Sequence, residues 1–133
     1  MRKKFPDKKK AISIVTSAEE DIKYTLTINP SESSANTIVR NVYESFRMLG
    51  ESILINAGIE ISDHITSINE LLKLKIKSER PINLIEQLRT IRHKINYNGY
   101  RATIYEAEEA LSLAKSCFGT TKIAVLNEIS KPI

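Results

Sequence analysis

The sequence has few of the features that stabilise secreted proteins or anchor proteins in membranes. Its single cysteine, Cys117, excludes a disulfide within the chain and is typical of proteins from the reducing cytoplasm. No apolar run approaches the roughly 18 residues of a membrane-spanning helix, and the basic N-terminus lacks the apolar core of a signal peptide. The sequence therefore predicts a soluble cytoplasmic protein that does not enter a membrane.

The residues of common catalytic and cofactor-binding motifs are also scarce. The two histidines, His64 and His93, have no zinc-ligand spacing with each other or with the cysteine. The four glycines lie at positions 50, 58, 99 and 119, too far apart to form a phosphate-binding loop. No E-x-x-H pattern indicates a di-iron site, and nothing marks a Ser-His-Asp triad. We therefore predict no metal and no cofactor, and favour a protein that is not an enzyme.

Charge is plentiful and unevenly distributed along the chain. The net charge of +4 combines +5 over residues 1–10, −6 over 11–72, +6 over 73–101 and −1 over 102–133. Residues 1–10 are mostly lysine without an apolar period, which predicts a flexible basic arm before a single domain of residues 11–133. The basic stretch favours an anionic partner, although such a run is often only a solvated face.

Apolar residues recur at helical spacing through most of the domain. The spacing predicts five helices with short connections and no sheet, near residues 11–28, 34–57, 63–76, 82–98 and 103–118 or beyond. Isoleucine is abundant and favours strands by propensity, but polar and apolar residues almost never alternate for more than four positions. The sequence thus predicts an all-α, antiparallel up-and-down bundle of about five helices.

Short local signals predict helix ends and one close helix contact. Asn83 or Pro81 starts the fourth helix, and Gly99 suits the left-handed position that ends it. The residues 103–106, T-I-Y-E, have the spacing of a capping box. Gly50 interrupts the second helix at a cost of about 1 kcal/mol relative to alanine, so we expect it to let a neighbouring helix approach closely.

The stretch from Leu84 to Tyr100 reads LIEQLRTIRHKINYNGY and is predicted to be the helix around which the chain is organised. Its apolar stripe consists of Leu84, Leu88, Ile91 and Ile95. Arg92 lies on the shoulder of that stripe, about 70° from its centre. A guanidinium there costs free energy unless it is paired or faces a cleft, so Arg92 is the first candidate for a functional residue.

Other polar and aromatic residues surround Arg92. The candidate binding residues are Arg89, Arg92, Lys94, Asn96, Tyr97, Tyr100 and Arg101, with His93 among them. Arginine makes bidentate contacts with phosphate, tyrosine can stack on exposed bases, asparagine can position them, and histidine can move a proton near neutral pH. This combination suits an RNA phosphate or a nucleotide. The alternative is a core helix with a solvated basic face.

Over roughly residues 11–118 the chain resembles the HEPN superfamily of small helical-bundle proteins. The matching segments are VRNVYESFRMLGESILINAG in the second helix, a histidine at the start of the third, LRTIRHKINYNG in the fourth and IYEAEEALSLAKSCF in the last. The resemblance implies a helical homodimer that binds RNA or a nucleotide. It also implies a role as partner or substrate-binding subunit of a small nucleotidyltransferase, sometimes within a toxin–antitoxin pair.

The signature of active HEPN members is an arginine, a polar neighbour and, after four to six intervening residues, a histidine. In those members it forms a metal-independent ribonuclease centre at a dimer interface. Arg92 matches the arginine and His93 its polar neighbour, but Tyr97 stands where the histidine would be. The match implies a non-nuclease member, because a tyrosine with an unperturbed pKa of about 10 is a poor base at neutral pH.

Two other functions stay open. One is a metal-independent ribonuclease that uses Arg92 with His93 or Tyr97 as catalytic residues. The other is a non-catalytic assembly module whose basic stretch meets an acidic protein partner.

Overall fold

The computed structural model describes residues 2–3, 5–60, 63–74, 76–78 and 80–131, apart from the side chains of residues 2, 3 and 64. Within these residues five α-helices form an all-α bundle, which confirms the predicted fold class. They are α1 (Lys8–Thr25), α2 (Ala35–Asn56), α3 (His64–Lys73), α4 (Ile85–Asn98) and α5 (Ile104–Ser130), and a 3₁₀ turn (Ile82–Leu84) leads into α4. None of the described helices combines the length and the apolar character needed to cross a membrane.

The first helix begins earlier than predicted. Asp7 accepts a hydrogen bond from the backbone N–H of Lys10 at 2.9 Å and caps α1, so Lys8 and Lys9 are helical. Aspartate is a strong N-cap and lysine a good helix former, whereas the predicted start was set by the first apolar residue, Ala11. Part of the segment predicted as an arm therefore belongs to the bundle.

A short antiparallel ladder joins β1 (Arg2–Lys3) to β2 (Ile59–Glu60). Arg2 lies opposite Glu60, and Lys3 lies opposite Ile59. With two residues in each strand, the ladder is a local tie between the N-terminal segment and the α2–α3 link. It leaves the all-α class unchanged.

α2 is the helix around which the bundle is organised. The prediction that Leu84–Tyr100 has this role was wrong. α2 packs against each of the other four α-helices. Eleven of its 22 residues are buried, against three of the 14 residues of α4. Near its middle, Phe46 meets Phe118 of α5 edge to face, with 5.3 Å between ring centroids. α4 was predicted to be central because it carries the candidate functional residues. The apolar surface that holds the bundle together lies mainly on α2.

Gly50 brings α3 close to α2, as predicted. A Cβ atom added at Gly50 would lie 1.9 Å from the carbonyl oxygen of Ser67 in α3. No side chain fits there, so the backbones of the two helices meet directly. This contact fixes how α3 lies on α2.

The helix ends around α4 follow the sequence signals in part. Gly99 has φ +67° and ends α4 in the left-handed conformation, as predicted. Thr103 and Glu106 make both hydrogen bonds of the predicted capping box at the start of α5. The fourth helix instead starts through the 3₁₀ turn that follows Pro81, without a side-chain cap from Asn83.

Candidate functional site

The buried face of α4 determines where its polar residues lie. Ile85, Leu88 and Ile95 are buried, and Leu84 and Ile91 pack against the edge of the core. The predicted apolar stripe is therefore confirmed. The polar residues between its members are half-buried or exposed.

α4 runs along α2 in the opposite chain direction. Arg92 lies over Tyr43. Four residues further along α4, Asn96 accepts a hydrogen bond from Arg40, which stands three residues before Tyr43. We call the surface formed by Arg40, Tyr43, Arg92 and Asn96 the arginine seam.

Arg92 occupies the middle of the arginine seam. Its Cζ atom is 5.5 Å from the centroid of the Tyr43 ring, and Tyr43 is fully buried. A cation over an aromatic face is stabilised by the ring quadrupole, which explains how the charge is tolerated beside the apolar stripe. Arg92 forms no ion pair within the part of the chain that the structure describes. Its charge is therefore held in place but not neutralised by a described carboxylate.

The ionisation of Tyr43 reflects the positive charge around the seam. Burial raises the pKa of the Tyr43 hydroxyl, while the guanidiniums of Arg92, Arg89 and Arg47 act in the opposite direction. Burial prevails, so the hydroxyl is protonated at neutral pH. Three cations from α2 and α4 thus act on one buried ring.

Two of these three arginines are paired with neighbouring carboxylates. Arg47 has a side chain that is 16% exposed, and it binds Glu44 and Glu51 at 2.6 Å each. Burial by itself would lower the pKa of Arg47, but the hydrogen bonds and charges of both glutamates more than offset it and leave that pKa raised. Arg89 binds Glu86 at 2.9 Å. Both guanidiniums therefore form ion pairs within the chain.

Arg40 belongs to the seam although it was not among the predicted site residues. Its Nε donates to Oδ1 of Asn96 at 2.9 Å, and it forms no ion pair with any described carboxylate. Arg40 lies in region 11–72, which is acidic overall. The charge distribution therefore did not indicate Arg40 as a binding residue. The spacing of Arg40, Tyr43 and Arg47 along one face of α2 is the signal that could have indicated it.

His93 and Tyr97 form a separate pair on the outer face of α4. Their ring centroids are 4.8 Å apart with an interplanar angle of 44°, and Tyr97 is 69% exposed. At about 100° per residue, Arg92 and Tyr97 point about 140° apart around the helix. Within one chain the structure therefore places Arg92 against α2 and the two rings outward.

Tyr100 and Arg101 lie in the link between α4 and α5, and Lys94 lies near the end of α4. The Lys94 Nζ atom is 5.5 Å from the Tyr100 ring centroid, and the Tyr100 hydroxyl donates to Oε1 of Glu106 at 2.7 Å. That hydrogen bond, with burial and the charge of Glu106, raises the pKa of Tyr100. Arg101 is exposed and lines an open cavity of about 420 Å³ together with Glu32. Tyr100 and Arg101 thus lie beyond the end of α4, and Lys94, although it stands between Arg92 and Asn96 in the sequence, contacts Tyr100.

The seam offers cations and amide groups rather than metal ligands. Among the residues that the structure describes, no three His, Cys, Asp or Glu side chains are grouped so as to hold a metal ion. A larger open cavity of about 610 Å³ lies between the α1–α2 link and α5 and contains none of the candidate residues. The chemistry available at the seam is the binding of an anion.

No protein-family model, curated protein or solved structure matches this chain. The resemblance to the HEPN superfamily therefore rests on the sequence segments quoted above. The homodimer, the RNA or nucleotide ligand and the nucleotidyltransferase partner that it implies stay predictions.

Proposed function

We propose that this chain is a HEPN-like helical-bundle protein that binds RNA or a nucleotide through a phosphate at Arg92, without cleaving it. The observation that carries the proposal is the guanidinium of Arg92, half-buried over Tyr43 and unpaired with any described carboxylate. A partly desolvated cation interacts more strongly with an added anion than one in open water does. The planar fork of arginine matches phosphate oxygens in a bidentate manner.

The surroundings of Arg92 support a polyanionic ligand. The stretch 73–101 carries a net charge of +6, which raises the local concentration of a negatively charged strand. Lys94 and Arg101 add positive charge near and just beyond the end of α4.

The arrangement favours binding over cleavage. Tyr97 occupies the position of the catalytic histidine in the HEPN signature, and it points away from Arg92 within one chain. Without a histidine at that position, the general acid–base contribution of about 10²–10⁴-fold is missing. We therefore assign binding and not catalysis to Arg92.

The wider role is that of a partner or substrate-binding subunit of a small nucleotidyltransferase, in a toxin–antitoxin-like pair. This part of the proposal rests on the HEPN resemblance alone. The acidic region 11–72 and the basic stretch 73–101 give the chain two oppositely charged segments with which a partner could associate.

Binding is tested by titrating a labelled, short single-stranded RNA with the protein and following fluorescence anisotropy. Arg92→Gln should weaken binding by about 1.5–3 kcal/mol, because it removes a charge-assisted hydrogen bond in a partly buried setting. Lys23→Gln removes the same charge from α1, where Lys23 is 73% exposed, and should change the affinity little. Unaltered binding by Arg92→Gln would contradict the proposal. Absence of saturable binding to RNA and to nucleotides would favour the assembly-module alternative.

Cleavage is tested by incubating the same RNA with the protein in the presence of EDTA. We expect no cleavage above the level of the buffer, because Tyr97 stands where the HEPN signature has its histidine. Robust cleavage that Arg92→Ala and Tyr97→Phe both abolish would establish the ribonuclease alternative instead.

A further inference from the structure

We infer that the arginine seam binds one phosphate group between Arg40 of α2 and Arg92 of α4, with Asn96 as the residue that positions Arg40. This inference rests on the proposed function and adds a second helix to the binding site. It makes the site a clamp with one guanidinium on each side, rather than a single arginine on α4.

The hydrogen bond to Asn96 leaves Arg40 ready for a second acceptor. It uses the Nε atom of Arg40, and neither terminal nitrogen of that guanidinium donates a hydrogen bond within the described residues. Asn96 and Arg92 are four residues apart on α4, a spacing that places side chains next to one another on a helix surface, roughly 5–6 Å apart at Cβ. Asn96 therefore holds Arg40 one helical turn from Arg92.

The pairing of charges around the seam distinguishes Arg40 and Arg92 from the neighbouring arginines. Arg40 and Arg92 belong to the seam, and the charges of Arg47 and Arg89 act on its Tyr43. Arg47 and Arg89 each bind glutamates within their own helix. Arg40 and Arg92 bind no described carboxylate. An anion bound between them would offset both positive charges.

A phosphate fits the pair better than a carboxylate does. Two guanidiniums present several N–H donors from two directions, and a tetrahedral phosphate can accept from both at once, whereas a carboxylate offers two oxygens in one plane. The same phosphate chemistry can come from the backbone of an RNA strand or from a free nucleotide. The two sources are distinguished by competition: AMP displaces the labelled RNA if the site takes a nucleotide phosphate, and only unlabelled RNA does so if it takes the backbone.

The test is a double-mutant cycle on RNA binding with Arg40→Gln, Arg92→Gln and the double variant, and with Lys23→Gln as the charge-matched control. Arg40→Gln should weaken binding about 3- to 10-fold, as expected for one charge-assisted bond at an exposed position, and the control less than about 2-fold. If both arginines hold one phosphate, the double variant should lose less than the product of the two single losses.

Asn96→Ala tests whether Asn96 positions Arg40. It changes no charge, so any loss of binding is not caused by a change in net charge. It should weaken binding about 2- to 4-fold in the wild-type background and have no effect in the Arg40→Gln background, because Asn96 acts through Arg40. An equal effect in both backgrounds would contradict the positioning role.

The failures of the two proposals are distinguishable. If Arg92→Gln weakens binding while Arg40→Gln behaves like Lys23→Gln, the clamp is wrong and the proposed function stands. Strictly multiplicative losses in the double variant would also refute a shared phosphate. If the wild-type protein binds neither RNA nor AMP, the proposed function fails and the clamp fails with it.

Discussion

Gly50 is the residue at which the packing of α3 on α2 is most easily tested. A methyl group at this position would lie 1.9 Å from the Ser67 carbonyl oxygen, which belongs to the backbone and cannot rotate away. Gly50→Ala should therefore lower the free energy of unfolding by about 3 kcal/mol, measured by urea denaturation.

Gly119 provides the matched control for that substitution. It also lies inside a helix, α5, but a Cβ atom there meets nothing within 4 Å. Gly119→Ala should raise the free energy of unfolding by about 0.5–1 kcal/mol, because alanine has the higher helix propensity. If both variants changed stability in the same direction, the close approach at Gly50 would be disproved.

Single residues of the site were predictable to different degrees. Arg92 stood out because its position on the shoulder of the apolar stripe follows from the sequence of α4 alone. Its aromatic partner Tyr43 and its neighbour Arg40 did not, because they lie on α2 and meet α4 only after folding. Tyr97 was grouped with Arg92 by sequence distance, whereas the structure turns the two side chains to different faces. The sequence pattern of one helix thus does not predict its contacts with the other helices.

At the scale of elements, the start of α5 has a testable cap. Thr103 accepts from the backbone N–H of Glu106 at 3.0 Å, and Glu106 accepts from the backbone N–H of Thr103 at 2.9 Å. Thr103→Ala should lower the free energy of unfolding by about 1 kcal/mol, measured by thermal or urea denaturation. Thr16→Ala removes a hydroxyl that bonds only within α1 and should change stability by less than about 0.5 kcal/mol. An effect of Thr103→Ala no larger than that of Thr16→Ala would show that the cap contributes little.

The number and approximate positions of the helices were predictable from apolar periodicity. The residues at which the helices begin and end were less predictable. The capping box at Thr103 and the left-handed Gly99 have strong local signals and were predicted correctly. α1 begins three residues before the predicted position, since Asp7 caps it from within a lysine-rich segment. α3 ends at Lys73 rather than near residue 76, because the backbone of Leu74 is extended. Propensity and apolar spacing locate a helix, but a single cap or turn residue decides its length.

At the scale of the whole molecule, the bundle leaves one aromatic surface on α4 exposed. The rings of His93 and Tyr97 contact each other there, and Tyr97 is 69% exposed. We expect a two-fold homodimer in which the α4 helices of both chains approach each other, since this would cover the rings. Light scattering should show a dimer at tens of micromolar, and Tyr97→Glu should shift it toward monomer. A monomer in the wild-type protein at that concentration would count against this arrangement.

The central claim is that an RNA or nucleotide phosphate binds at Arg92, and the salt dependence of RNA binding tests it most directly. For a single strand, the logarithm of the binding constant falls with the logarithm of salt concentration by about 0.7 per phosphate contact, so three or four cations predict a slope of roughly −2 to −3. Arg92→Gln should make the slope shallower by about 0.7 as well as weaken binding, and Lys23→Gln should leave the slope unchanged. A wild-type protein without saturable RNA binding at about 150 mM salt, or a slope that does not respond to Arg92→Gln, would contradict the account.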